Sequence, residues 1–222
     1  MYELDTTSIS ALIQTMLRLV IGSLRLDPAA FLAAFDGGLQ ATPVLIWIVL
    51  IGGFSLTVGQ SVVLFANRVS RTRFAISLVL GSLKFFLDVS VIVLVMWVMA
   101  NILSEQTWRP GQIGRMVALA NAPYWLSFFF LIPYAGLIWE RLTKFYVLLT
   151  LITAIEAVFG VTFFSGLLVA FPTLVISEVI SLLLGRLLSP LSNRIQNKLV
   201  GDVEMANTQK IYALFTKRDL NP

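Results

Sequence analysis

The segment from Ala118 to Trp139 carries no charged side chain and is long enough to cross a bilayer core, which takes about 20 apolar residues. It also contains two prolines, Pro123 and Pro133. Each removes a backbone donor and crowds the carbonyl four residues earlier, at Leu119 and Phe129. In water such a stretch breaks as a helix. In hydrocarbon, neighbouring helices and side-chain hydroxyls can take up the freed carbonyls. The stretch therefore predicts a kinked central helix, viable only with helical partners around it.

Composition points the same way. Of 222 residues, 58% are hydrophobic and 13% charged, against about 25% charged in a soluble domain. A surface that apolar needs lipid as solvent. Histidine and cysteine are both absent. Their absence excludes disulfides, thiol nucleophiles, imidazole bases and His- or Cys-ligated metal, haem or iron–sulfur centres. Phosphate loops and nucleophile–base pairs are missing too. Asp88 is the only aspartate inside an expected span, which excludes a paired-aspartate site within one chain. A Ser–Lys pair using Lys84 is the remaining hydrolase chemistry, and nothing around it supports one. The expectation is a non-enzymatic protein with no cofactor and no metal. Nucleic acid has no support as a partner, because the basic residues are spread over loops.

Taken in order, Ser8 to Leu26 places Ile9, Leu12, Ile13, Met16, Val20 and Leu24 on one helical face and Gln14, Arg18, Gly22 and Arg25 on the other. It reads as an interfacial amphipathic helix, the alternative being a sixth span whose arginines reach the interfaces. Asp27-Pro28 starts a short helix and Gly37-Gly38 ends it. Five spans follow, over 42–65, 74–103, 118–139, 145–160 and 162–188, with the basic segment 140–144 as a tight turn and Pro190 as the last stop. In the first, Gly52, Ser55 and Gly59 share a face that allows close helix approach; in the last, Thr173, Ser177, Ser181 and Gly185 recur every fourth residue. The acidic start (Glu3, Asp5) lacks the basic region of a signal peptide, so the first true span is expected to act as the insertion signal. The layout is an all-α polytopic membrane bundle: interfacial helices over 1–41, a five-span bundle over 42–189, and a polar, partly helical tail over 190–222.

Five spans put Arg68, Arg71, Arg73, Arg141, Lys144 and the basic residues from Arg186 onward on one face, and Arg18, Arg25, Arg109 and Arg115 on the other. The positive-inside rule makes the tail side cytoplasmic.

Several of these features occur together in a known family. Asp-Pro-Ala-Ala-Phe-Leu at 27–32 precedes the first span and a basic loop. Ala-Asn-Ala-Pro at 120–123, Ile-Pro-Tyr-Ala-Gly at 132–136 and a tryptophan at 139 follow. Over residues 20 to 190 the chain resembles the Yip1 domain family of five-span membrane proteins, particularly its short bacterial members. The resemblance implies a scaffold or trafficking role in a bacterial cytoplasmic or internal membrane, without catalytic residues. The Asp-Leu-Tyr-Gly-Pro motif of the eukaryotic branch is missing, and with it the ground for expecting a GTPase partner.

The candidates for chemistry are four ionisable residues inside expected spans: Lys84, Asp88, Glu156 and Glu178. Such a group at bilayer depth costs at least about 2.5 kcal/mol and is a functional hypothesis by default. The plainer readings are a self-neutralising Lys84–Asp88 pair at i,i+4 and a Glu156 that reaches the interface. Glu178, flanked by Ser177 and Ser181, is the hardest to dismiss. Two functions follow. One is a scaffold or accessory subunit whose small-residue ridges pack on a membrane-protein partner or a second copy. The other is a small transporter or proton/cation pathway with the broken helix as gate and the intramembrane acids as path.

Overall fold

Local signals set the helix ends of the computed structural model, which describes residues 2, 4, 5, 7–60, 71–103, 107–131 and 136–199. Ser8 caps α1 (Ile9–Leu24), its hydroxyl accepting from the Ala11 amide. The helix closes at Leu26, whose φ of 55° is left-handed. There the Leu26 amide bonds Ser23 O and the Asp27 amide bonds Gly22 O, the double bond that satisfies carbonyls at a helix end. Asp27 then caps α2 (Pro28–Asp36) through the Ala29 amide, with Pro28 at the first helical position. Gly38, at φ 58°, opens α3 (Gly38–Gln60), four residues before the expected start.

The remaining elements are α4 (Arg71–Leu103), α5 (Pro110–Ala120), a 3-10 helix (Ala122–Leu131), α6 (Gly136–Phe159) and α7 (Phe163–Leu199). Among the described residues there is no strand. Among the described residues, four stretches are long and apolar enough to cross a membrane: Gly38–Gln60, Phe74–Ile102, Ile138–Phe159 and Phe163–Arg186. Gly160, at φ 64°, makes the tight corner between the last two.

Three expectations need correction. The span over 118–139 is not one kinked helix. It is the end of α5, a turn at Asn121, the 3-10 helix and the start of α6, with Pro133 outside the described residues. The helical part begins earlier, at Pro110: proline suits the first position, and the Gln112 side chain reaches back to accept the Arg109 amide at 3.2 Å. Residues 140–144 are not a turn but the first turns of α6, where Lys144 and Glu140 form an i,i+4 ion pair at 3.0 Å. Pro190 does not end the last helix, which runs on to Leu199. An interior proline forfeits one rung and crowds another without obliging the chain to leave the helix.

Contacts along the elements fix their directions. Gly53 faces Phe85 while Gly81 faces Thr57, so α3 and α4 are antiparallel. Trp97 Nε1 donates to Trp108 O at 2.8 Å and Gly114 faces Val93, so α5 runs back along α4. Against α6, Trp108 meets Phe159 edge-on at 5.2 Å, Ala120 O accepts from Thr150 at 2.6 Å, and Phe129 stacks on Trp139 at 5.5 Å. The α5–3-10 pair thus lies along α6 from end to end, in the opposite sense. The segment expected from sequence as one span is two helical pieces splinted by α6, and it is not among the four stretches long and apolar enough to cross a membrane.

The core lies where α1, α2, α3, α5 and α6 meet, with Leu19, Phe31, Leu45, Ile48, Met116 and Ile155 fully buried. The stripe expected on α1 divides. Met16 and Val20 enter this core beside Leu19, whereas Ile9 and Ile13 remain exposed with Leu17 and Ile21.

Candidate functional site

The break after α5 is where backbone that is not α-helical passes through the middle of the bundle, so its polar groups need partners from elsewhere. Pro123 deprives the Leu119 carbonyl of its helical donor. Ser23 of α1 supplies one instead, its hydroxyl bonding Leu119 O at 3.0 Å in a fully buried contact. Thr150 of α6 serves Ala120 O, and the Asn121 side chain turns back to Val117 O at 2.8 Å. Further along, Ser55 of α3 donates to Trp125 O at 2.8 Å and accepts the Phe128 amide at 3.0 Å. Trp125 Nε1 returns a bond to Ile48 O at 2.8 Å. Hydroxyls from three helices therefore hold a segment that hydrocarbon alone would leave unsatisfied.

The small face of α3 serves the same segment. Gly52 stands against Tyr124 and Trp125, and a Cβ on Gly59 would run into the Ser127 backbone carbonyl. Gly52, Ser55 and Gly59 thus meet the 3-10 helix, with Gly52 also facing Phe85 of α4. On α7, Thr173 and Ser177 are buried and bond their own helix carbonyls at 2.7 and 2.6 Å. Thr173 also points at Met96 Sδ of α4, 3.8 Å away. Ser181 is half-buried, and a Cβ on Gly185 would meet nothing within 4 Å.

Tyr124, in the 3-10 helix, packs its ring edge-on against Phe85 of α4 at 4.8 Å. Among the described residues, no hydrogen bond or ion pair joins any two of the four predicted ionisable residues, and Asp88 and Glu178 lie on α4 and α7. Tyr124 has a sequence signal only in hindsight, as the residue after the proline that makes the break. Lys84 is exposed and Asp88 half-buried, and among the described residues no ion pair joins them. Their i,i+4 spacing permits a contact that the structure does not make. Glu156 is half-buried at the opposite end of α6, against Gly166 of α7. Glu178 is exposed on α7 in the middle of an apolar stretch. Among the described residues no group of acids is close enough to hold a metal ion. Two buried oxygens, Asn121 Oδ1 and Ser127 Oγ, have no hydrogen-bond partner among the described residues, one on each side of Tyr124 in sequence.

Fold and composition define the class, a helical membrane protein. Compared with protein-family models, curated proteins and solved structures, the chain matches none of them.

Proposed function

We propose that this protein is a non-enzymatic integral membrane scaffold or accessory subunit of Yip1-like type, acting through helix packing with a membrane partner or a second copy. The observation that carries the reading is the outer face of α7. Only 17% of its apolar span is buried, against 39% for α3 and α6, and that face presents Val175, Val179, Leu182 and Leu183 together with the Glu178 carboxylate. A carboxylate turned outward at such a position is costly in lipid and gains a partner when another helix covers it. The basic residues flanking the spans favour an orientation with the tail side inward, and the Yip1 resemblance suggests a bacterial cytoplasmic membrane. Copurification of the tagged chain from mild detergent tests the proposal. A retained partner or second copy is expected, and Glu178→Gln should weaken its retention. A chain that runs alone as a monomer, and whose deletion leaves every membrane complex intact, would end it.

The break after α5, with Asp88 on α4 and Glu178 on α7 inside apolar helices, supports a second reading, a proton or cation path beside that break. Reconstituted vesicles measure it directly. Flux that persists unchanged in the Glu178→Gln and Asp88→Asn variants removes that path.

A further inference from the structure

Away from these acids, residues 42–49 of α3, 86–93 of α4 and 111–118 of α5 line a cavity of about 250 Å³. Each helix contributes the same seven-residue rise, about 10 Å, so the cavity is a groove running along the helices. Ile46 and Ser90 on its rim are exposed, and it opens sideways from the bundle. Its polar end is fixed by topology, because α3 and α5 both begin there, at Gly38 and Pro110. Arg115 lies five residues inside α5, and helical side chains lean toward the helix start. Its Nη1 accordingly comes to within 3.8 Å of the position a Cβ on Gly111 would take.

The chemistry of this arginine is half used. Nε donates to Ala34 O at 3.1 Å and Phe35 O at 3.2 Å, and Nη2 donates to Phe35 O at 2.7 Å, fastening α5 to the last carbonyls of α2. Among the described residues, Nη1 has no acceptor. Arginine stays cationic throughout. The hydroxyls along the groove are spent on their own helices: Thr42 bonds Gly38 O and Ser90 bonds Phe86 O. What remains is an apolar channel with one spare cationic donor at the end where two helices start. The volume falls just under the ~300 Å³ at which pockets for compact ligands begin, and the length suits an extended alkyl chain.

We infer that this groove holds one acyl chain of an anionic phospholipid of the surrounding membrane, with its phosphate bound by Arg115 Nη1. The inference is independent of the scaffold reading and rests only on the chain lying in a bilayer.

Native mass spectrometry of the full chain, extracted in mild detergent and offered equal phosphatidylglycerol and phosphatidylcholine of identical chains, tests it. The wild type should retain phosphatidylglycerol over phosphatidylcholine by about tenfold, the scale of one charge-assisted bond. Arg115→Gln should make the two equal. Because Arg115 also ties α5 to α2, a second variant keeps the arginine: Gly111→Leu fills the mouth of the groove, where only Nη1 stands within 4 Å. It should lose both lipids while keeping wild-type helicity and a single species on gel filtration. Equal retention of both lipids by the wild type would overturn the inference. So would undiminished phosphatidylglycerol on a folded Gly111→Leu protein, or a bound mass corresponding only to free fatty acid.

Discussion

Ser23 reaches from α1 to a carbonyl 96 positions away in sequence and bonds it where water has no access. Removing the hydroxyl strands the Leu119 oxygen, so Ser23→Ala should destabilise the protein by about 1–3 kcal/mol. Ser10→Ala, which touches only the exposed Ser8 hydroxyl, should stay within about 0.5 kcal/mol of wild type. Reversible unfolding in mixed micelles reads both. The N-terminal strap carries a second residue-scale test. The Tyr2 phenol donates to Asp27 at 2.8 Å, and burial, that bond and the Asp27 charge raise its pKa above the ordinary phenol value. The neutral form is thus the one the fold favours. Its contribution is fully present below the phenol's unfolded pKa and is lost as pH rises through the higher folded value. An alkaline fall in stability above about pH 10 should be smaller in Tyr2→Phe than in the wild type; a fall of equal size in the variant contradicts the assignment. Sequence shows which carbonyl Pro123 frees but not who answers it. Many serines and threonines are chemically able to do so, and only the packing of α1 on α5 selects Ser23.

At the scale of elements, the long helices are the legible part. Apolar runs place α4 to within three residues at both ends and the α6–α7 corner to within one, but they miss the start of α6 by nine residues and the end of α7 by eleven. The 3-10 helix is not legible, because Ala122–Leu131 is apolar on every side and offers no periodicity to separate one helical form from another. It persists by virtue of its surroundings, well beyond the three or four residues usual for that geometry. The start of α5 had a readable signal in Pro110 and Gln112, outweighed by the polar residues around them. Two glycines that look alike in sequence separate here. Gly59→Ala should lose about 1–3 kcal/mol by forcing a methyl group on the Ser127 backbone. Gly185→Ala meets nothing in the monomer and should leave the isolated protein unchanged or gain up to about 1 kcal/mol from helix propensity. A loss at Gly185 appearing only in native membranes would report a partner on α7, which is the part of the candidate site that a single chain does not reveal.

For the molecule as a whole, the deciding question is the solvent. Leu87 is exposed midway along the α4 span. In water, Leu87→Arg would be harmless. Immersed in hydrocarbon, it should oppose insertion of that span by about 2.5–3.5 kcal/mol, seen as a reduced inserted fraction in a glycosylation-mapping assay. Normal insertion of the variant would remove the bilayer from the account.

The donors that hold the broken segment also impose a timetable. Ser23 and Ser55 leave the ribosome before residues 119–128 do, so two receptors are waiting when that segment arrives. Thr150 follows Ala120 by thirty residues, which at roughly 5–20 residues per second is a delay of about 1.5–6 s. Through that interval the nascent segment has its early anchors and lacks its splint. The insertion machinery has to shelter it until α6 emerges, and a pause in translation between residues 120 and 150 would lengthen the exposure.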